Sequence, residues 1–213
     1  VQKVFFPSSI AVFGPDARQE NVAQDFALNP TTVYGISKVA GEHWARYYNT
    51  KYGMDVRCLR YPGLISYQSL PGGGTTDYAV DIFHKAINNE EFVCYLKPDT
   101  QLPMLYMDDA IDATIRMMEA SKRDIKTVGY NIQGVSFSPE IIAVEIKKTF
   151  PDFEISYQPD SRQQIAESWP ISLDDARARD EWGWEPSFDL KRMTEEMIYR
   201  LELKKNRNLS VFA

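Results

Sequence analysis

The chain reads Thr31-Thr32-Val33-Tyr34-Gly35-Ile36-Ser37-Lys38 directly after an Asn29-Pro30 turn, and a helical pattern continues from there to about Tyr52. Tyr34 and Lys38 are four residues apart, which places both side chains on one face of a helix. A phenol is a poor base at neutral pH, but a nearby ammonium favours the phenolate form. Such a pair can take a proton from a substrate hydroxyl while a hydride leaves the same carbon. Because the spacing also arises by chance in many helices, the surrounding residues decide its meaning.

Strand-like segments lie on both sides of this helix. Residues 3–6 are typical of a short buried strand, and residues 55–61 predict the next one. Strand, helix and strand in this order predict a βαβ crossover and a parallel sheet. Ser8 and Ser9 follow the first strand, at the carboxyl edge where open parallel sheets bind ligands. Either hydroxyl can orient a substrate oxygen, although adjacent serines after a strand are also ordinary turn residues.

A glycine-rich run, Pro71-Gly72-Gly73-Gly74-Thr75-Thr76-Asp77-Tyr78, precedes a second helical pattern. The glycines leave backbone amides open to a ligand, and we expect Thr75 or Thr76 to cap a helix that continues to about Asn88. Helix N-termini attract carboxylates and phosphates, so an anion or substrate contact is expected here. The run lacks the lysine of a P-loop. A flexible linker is the alternative, and the immediate helix start argues against it.

The remaining chain alternates short strands with helices. Residues 16–30 are polar, without a clear period, and are expected to form a surface loop. We expect Asp108 to cap a helix that continues to about Ala120, with Ile111, Ile115 and Met118 on its apolar side. Further strands are expected at residues 91–96, 102–107, 128–133 and 153–157, and further helices at 138–150, 162–167 and 189–205.

The composition is that of a globular protein with an acidic balance. Of 213 residues, 44% are hydrophobic and 25% are charged, and the formal net charge is −6. A basic surface for nucleic acid or anionic membranes is therefore not expected, and no apolar run approaches the roughly 18 residues of a membrane span. Cys58 and Cys94 show neither disulfide nor metal-site spacing and are predicted to be buried and reduced. His43 and His84 lie in helical patterns, and no metal site is predicted.

The glycine fingerprint of a dinucleotide-binding fold is missing from this sequence. Such a fold opens with a strand, a G-x-G-x-x-G turn and a helix, and the chain contains no such motif. Its first residues instead have the pattern of a strand in the middle of a sheet. We therefore expect that roughly a hundred further residues precede this segment in the complete fold.

Several short motifs resemble the extended short-chain dehydrogenase/reductase family, to which UDP-galactose epimerase belongs. They are the run from Ser8 to Gly14, the Tyr34-x-x-x-Lys38 spacing and Arg60-Tyr61-Pro62-Gly63. More narrowly, the chain is similar to the L-threonine 3-dehydrogenase branch of that family. The narrower resemblance is carried by Leu59–Ile65, Pro71–Val80, Leu102-Pro103-Met104 with Tyr106, and Ala166-Glu167-Ser168-Trp169-Pro170. It covers essentially the whole chain.

The resemblance implies an α/β fold, namely the C-terminal part of a Rossmann-type parallel sheet with a smaller α/β substrate-binding region. Residues 1–65 would belong to the dinucleotide-binding part and carry the catalytic helix. Residues 66–213 would be mainly the substrate-binding region, with segments at about 102–135 returning to the Rossmann sheet. An isolated chain of this kind would lack the adenosine half of the cofactor site.

The resemblance also implies roles for individual residues, with NAD as the cofactor and L-threonine as the substrate. Tyr34 would deprotonate the β-hydroxyl of L-threonine, and Lys38 would favour its phenolate form and hold the nicotinamide ribose. Ser9, with Ser8 beside it, would hydrogen-bond the reacting oxygen. The other cofactor contacts would be Tyr61, Pro62, Gly63 and Leu64, and the other substrate contacts Gly74, Thr75, Thr76 and Trp169. No metal is required.

The resemblance further implies a homodimer, because family members pair through the Tyr-Lys helix and a neighbouring helix. The aromatic residues of that helix, Trp44, Tyr47, Tyr48 and Tyr52, agree with a face that needs to be covered. Sheet packing alone is the alternative cover. The expected compartment is the cytoplasm for a bacterial-type protein and the mitochondrion for a eukaryotic one.

Two alternative functions remain open at the level of sequence. The first is a nucleotide-sugar epimerase or reductase of the same extended family, which shares the Tyr, Lys and Ser positions. The second is a non-catalytic segment that senses NAD or binds a partner, since the glycine fingerprint is missing. Turnover of L-threonine, turnover of UDP-sugars, and binding without turnover distinguish the three.

Overall fold

The computed structural model describes the backbone of residues 2–210 and the side chains of residues 2–207. Residue 1 and residues 211–213, which belong to the predicted ranges 1–65 and 66–213, lie outside the described residues. The strands are β1 (Val4–Ser9), β2 (Val56–Tyr61), β3 (Gly63–Ile65), β4 (Phe92–Cys94), β5 (Leu102–Tyr106), β6 (Gly129–Asn131), β7 (Val135–Phe137) and β8 (Ile155–Tyr157). The helices are α1 (Val33–Tyr52), α2 (Tyr78–Ile87), α3 (Met107–Glu119), α4 (Pro139–Lys147), α5 (Ser161–Ala166), α6 (Ala176–Trp182) and α7 (Leu190–Ser210).

The first sheet contains the predicted βαβ crossover. Its strand order is β1-β2-β6, and all its pairs are parallel. α1 connects β1 to β2, and Ser9 pairs with Tyr61 where the two strands end. The sequence prediction of an α/β fold with a Rossmann-type parallel sheet is therefore confirmed. It also follows that whatever lies after β1 and β2 meets at one edge of the sheet.

Two smaller sheets complete the fold. In one, β3 and β5 are parallel and β7 is antiparallel to β5; in the other, β4 and β8 are parallel. The segment 102–135, predicted to return to the first sheet, divides between two sheets. β6 joins the first sheet, whereas β5 belongs to the second, because the chain turns at Pro62 and β3 offers β5 a separate edge.

α1 lies unusually close to β1. Thr32 caps the helix by accepting a hydrogen bond from the Gly35 amide at 3.0 Å, and Gly53 ends it with a φ of 64°. A Cβ on Gly35 would be 2.1 Å from the Ala11 carbonyl oxygen, and one on Gly41 would be 2.2 Å from the Phe6 ring. Both positions therefore need glycine for the close approach. This contact fixes the height of α1 above the strand that leads into the site.

The largest hydrophobic core lies away from the first sheet, where α2, α4 and α7 pack together around β4 and β5. Its fully buried members include Phe83, Leu96, Phe137, Ile146 and Met197. Cys94 lies in this core and Cys58 in the core under α1, and both are free thiols, as predicted. None of the described helices has both the length and the apolar character needed to cross a membrane.

The apolar side predicted for α3 is not the side that the helix buries. Ile111 and Ile115 are each 51% exposed, and the helix instead buries Asp109, Ala110, Ala113 and Met117. Asp109 points inward because its carboxylate accepts hydrogen bonds from the backbone amides of Ser187 and Phe188. The expected cap is also wrong, since Tyr106 rather than Asp108 is the N-cap residue. Hydrophobicity alone therefore selected the wrong side of this helix.

Residues 16–30 form more than a surface loop. Val22 and Gln24 are buried, and the Gln24 amide donates to the Gly129 carbonyl at 2.7 Å. Val22 also forms a parallel bridge with Leu173. The segment has no hydrophobic period because its order comes from backbone and side-chain hydrogen bonds to distant parts of the chain.

Candidate active site

The carboxyl ends of β1 and β2 open into a cleft of about 530 Å³. It is lined by the end of β1, the first turns of α1, the residues after β2, the loop before α2, and residues at the end of α5. The sequence-predicted site residues all line it: Ser8, Ser9, Tyr34, Lys38, Tyr61, Pro62, Gly63, Leu64, Gly74, Thr75, Thr76 and Trp169. The fold thus brings distant segments together, while the roles of these residues stay predictions.

Lys38 lies between Tyr34 and strand β1. Its ammonium donates to the Pro7 carbonyl oxygen at 2.7 Å and lies 5.3 Å from the centroid of the Tyr34 ring. Tyr34 is 54% exposed, and within the described residues its hydroxyl has no hydrogen-bond partner. An ammonium has three donors, so Lys38 keeps donors for a ligand. The pair therefore presents a free phenol and a cation to the same space.

The two serines have different surroundings. The Ser9 hydroxyl accepts a bond from the Ala11 amide at 3.2 Å, which caps the single helical turn after β1. Its own proton remains available to a ligand. Ser8 is buried, and its hydroxyl donates to Glu42 at 2.6 Å. The proton of Ser8 is therefore committed to Glu42, which its predicted contact with the substrate did not take into account.

The loop before α2 is closed by its own aspartate. Asp77, rather than Thr75 or Thr76, is the N-cap residue, so the predicted threonine cap is wrong. The Asp77 carboxylate accepts hydrogen bonds from the Gly72 amide at 2.7 Å and the Gly74 amide at 2.9 Å. These amides, expected to be open to an anion, are thus occupied. A short side chain that reaches back to nearby amides competes with an external anion.

Gly63 allows two segments of the cleft to meet. A Cβ at this position would be 2.8 Å from the Thr76 Cβ and 2.3 Å from the Met104 sulfur. Because glycine has no Cβ, the chain after β2 and the loop before α2 approach closely. The Tyr95 hydroxyl donates to the Gly74 carbonyl at 2.9 Å and holds this loop from another side.

The phenol of Tyr61 is already engaged in a hydrogen bond within the protein. Its hydroxyl contacts the Thr114 hydroxyl, and Thr114 itself donates to the Ala110 carbonyl at 2.7 Å. The proton between the two hydroxyls therefore comes from Tyr61. Burial raises the pKa of Tyr61. Tyr61 lines the cleft, but it does not offer a second base.

Arg18 holds the segment that carries Trp169. One nitrogen of its guanidinium donates to the carbonyl oxygens of Gln101 at 2.9 Å, Trp169 at 3.2 Å and Ala166 at 3.3 Å. Burial lowers the pKa of Arg18. Sequence reasoning missed this residue because it lies in the segment interpreted as a surface loop. Its neighbours have no pattern that would have revealed the contact.

A second cleft, of about 540 Å³, lies at the other end of β2, beside Asp55 and Val56. Its cations include Lys122, whose ammonium donates to the Gly53 carbonyl at 2.9 Å. No tyrosine, serine or histidine lines it. Within the described residues there is also no group of three His, Cys, Asp or Glu side chains able to hold a metal.

Comparison with known proteins places this geometry in a family. The model of the NAD dependent epimerase/dehydratase family matches residues 1–132. The chain belongs to this family. The matched range contains the end of β1, the Tyr34–Lys38 pair and the loop before α2, so most of the cleft comes from the part that the family defines.

Several family members are similar over most of this chain. The L-threonine 3-dehydrogenase, mitochondrial, of Bos taurus is 48% identical over 197 residues, which are 92% of this chain and 53% of that protein. An uncharacterised epimerase/dehydratase of Staphylococcus haemolyticus is 48% identical over 94% of this chain and 64% of its own length. The chain thus spans about half the length of the mammalian relatives it matches.

Solved structures are also similar to this chain. The GalE-like L-threonine dehydrogenase from Cupriavidus necator, in its holo form, superposes with a TM-score of 0.93 at 53% identity and covers 94% of this chain and 65% of that chain. A UDP-glucuronic acid 4-epimerase from Bacillus cereus superposes with a TM-score of 0.79 at 18% identity, which shows the shared fold alone.

The cleft fits the nicotinamide half of the family's cofactor. A ribose needs donors and acceptors for its two hydroxyls, and Lys38 has unused donors beside the free Tyr34 hydroxyl. The chain at Pro62–Leu64 passes along the same cleft. These residues would hold the ribose and the nicotinamide. The described residues contain no G-x-G-x-x-G turn.

Proposed function

We propose that the gene product containing this chain oxidises L-threonine at its β-hydroxyl with NAD, giving 2-amino-3-ketobutyrate. The observation that supports this most directly is the meeting of Tyr34, Lys38 and Ser9 in one cleft, roofed by the glycine–threonine loop. The names of the bovine relative and of the Cupriavidus necator structure give the substrate class. Because the chain spans only part of those proteins, the activity of the complete protein is inferred from its site.

In this mechanism the phenolate of Tyr34 removes the proton of the substrate β-hydroxyl. Lys38 stabilises the phenolate with its charge, since its ammonium lies beside the ring. Ser9 donates its free proton to the same substrate oxygen and fixes the direction of that oxygen. Bound NAD would supply the acceptor for the hydride that leaves the β-carbon. The products balance as the ketone, NADH and a proton held on Tyr34.

The remaining cleft residues would select the size of the substrate. Gly74, Thr75 and Thr76 line one part of the cleft, and the half-buried Trp169 lines another. A site of this kind accepts a short amino acid and excludes bulky ones by shape. Trp169 is held from outside by Arg18, so we assign it the closing surface over the substrate.

The test is an assay of NADH absorbance with purified gene product, NAD and L-threonine, in parallel with UDP-glucose, UDP-galactose and UDP-glucuronate. We expect NADH to form with L-threonine and the UDP-sugars to remain unchanged by chromatography. Turnover of a UDP-sugar without turnover of L-threonine would assign the epimerase alternative. NAD binding without any turnover would assign the sensing alternative.

The proposal includes a homodimer formed through α1. The exposed face of this helix carries Trp44, Tyr47, Tyr48 and Tyr52, whose rings contact one another. Apolar patches of this kind mark interaction surfaces, and a second copy of α1 is complementary in shape and chemistry. A relative from a metagenome is described as monomeric, so the oligomeric state must be measured for this chain.

The proposed compartment depends on the source. The bovine relative is named mitochondrial, and we assign the mitochondrion to a eukaryotic source and the cytoplasm to a bacterial one. Cell fractionation followed by immunoblotting tests this assignment.

A further inference from the structure

We propose that Glu42, fixed by Arg60, is a positioning residue, which acts through Ser8 to hold the Tyr34–Lys38 pair against the end of β1. The kinetic part of this inference rests on the proposed function. Tyr34, Lys38 and Glu42 follow one another at intervals of four residues, so all three lie on the same face of α1. Glu42 is thus the next residue along the face that carries the pair.

Two successive turns of α1 contact two successive residues of β1. The Lys38 ammonium donates to the Pro7 carbonyl at 2.7 Å, and the Ser8 hydroxyl donates to Glu42 Oε1 at 2.6 Å. The bond between Ser8 and Glu42 therefore ties this end of β1, and with it the Pro7 carbonyl, to α1. The position of Ser9, the next residue, depends on the same hydrogen bond.

Glu42 is itself fixed by a buried ion pair. It is 4% exposed, and Arg60, at 5%, donates from Nε at 3.0 Å and from its terminal nitrogen at 2.9 Å. Arg60 also donates to the Gln24 carbonyl and the Asn131 side chain. The backbone of Gly129 packs against the carboxylate, because a Cβ there would be 2.8 Å from Oε2. A group held this firmly, four residues after Lys38 on the same helix, suits the positioning of α1 against the end of β1.

The decisive variant is Ser8→Ala, because it removes one hydrogen bond and leaves the buried ion pair intact. We expect kcat for L-threonine to fall at least tenfold, with KM within twofold, because the misplaced Lys38–Tyr34 pair acts mainly on the chemical step. The control is Ser138→Ala, which removes another buried serine at the start of α4, outside the cleft. It should lower the melting temperature without changing kcat or KM.

A second measurement does not depend on the substrate. Acylation of Lys38 by an N-hydroxysuccinimide ester, followed by mass spectrometry, should become at least threefold faster in Ser8→Ala, with the other lysines as internal references. It should be unchanged in Ser138→Ala. If the wild-type protein does not oxidise L-threonine, the proposed function fails, and this labelling rate alone decides the role of Ser8.

Other outcomes overturn the inference. A raised KM with an unchanged kcat would make Ser8 a substrate contact, as the sequence predicted. Unchanged kinetics and unchanged Lys38 labelling would make the Ser8–Glu42 bond purely structural. In a double-mutant cycle, Ser8→Ala and Glu42→Ala should lower kcat by less than the product of their separate effects, because both break one bond. Independent effects would contradict the coupling, and an unfolded Glu42→Ala leaves the decision to Ser8→Ala.

Discussion

At the scale of single residues, the proposed chemistry depends on the hydroxyl of Tyr34. The Tyr34→Phe variant keeps the ring beside Lys38 and removes only the group that accepts the proton. We expect kcat for L-threonine to fall at least ~100-fold, as for the loss of a general base, while calorimetry gives NAD affinity within about threefold of wild type. Tyr199→Phe, on the exposed side of α7 and outside the cleft, is the control. A wild-type rate in Tyr34→Phe would assign the base to another residue.

Cys58 predicts how stability depends on alkaline pH. Burial raises the pKa of its thiol to about 12 from 9.0. Since the unfolded thiol loses its proton first, stability is constant below about pH 9 and falls as the pH rises from there towards 12. For this one group the loss between pH 8 and 10 is about 1.4 kcal/mol. In urea unfolding, the difference in stability between Cys58→Ala and wild type should shrink by about that amount over this interval. A constant difference would contradict the assigned burial.

Not every residue role was accessible from sequence. That Tyr34, Lys38 and Ser9 share one cleft was predictable, because spacing on a helix and position at a strand end carry structural meaning; their roles remain predictions. Ser8 has the same position, but its partner Glu42 is 34 residues away in the chain. Arg18 donates to carbonyls up to 151 residues away. Contacts over such separations depend on the folded topology and leave no local pattern.

At the scale of elements, the packing of α1 on β1 gives a sharp test. Gly41→Ala favours the helix intrinsically by about 1 kcal/mol, but its Cβ would lie 2.2 Å from the Phe6 ring. We expect the clash to dominate and to destabilise the protein by about 1–3 kcal/mol in urea unfolding. In a Phe6→Leu background, Gly41→Ala should lower the free energy of unfolding by less than it does in the wild-type background. Additive costs would show that the ring is not the obstacle.

The elements themselves were largely predictable, because strand, helix and strand alternate with clear turn residues. The faces and caps were less predictable. Ile111 and Ile115 suggested one buried side for α3, yet Asp109 turned the helix by bonding to the amides of Ser187 and Phe188. Asp77 likewise displaced the threonines as the cap of α2. In both elements a carboxylate that binds distant or preceding amides outweighed the local preference.

At the scale of the whole molecule, the aromatic face of α1 predicts the oligomeric state. Trp44 and Tyr52 are each 61% exposed, so burying this face against a second copy removes a large apolar area from water. Trp44→Lys should shift the mass from dimer to monomer in light scattering after size exclusion, because two buried charges would face each other. Its melting temperature as a monomer should stay close to that of wild type at high dilution, since the side chain packs little within its own chain.

The matched control is Tyr199→Lys, which places the same charge on the exposed side of α7, where Tyr199 is 55% exposed. It should leave the dimer intact. An unchanged mass in Trp44→Lys, with a dimeric wild type, would move the interface to another surface. A monomeric wild type would instead agree with the metagenome relative described as monomeric. Since Tyr34 and Lys38 lie on the same helix, a dimer through α1 would also tie the position of the catalytic pair to assembly, and kcat of Trp44→Lys below that of Tyr199→Lys would reveal that link.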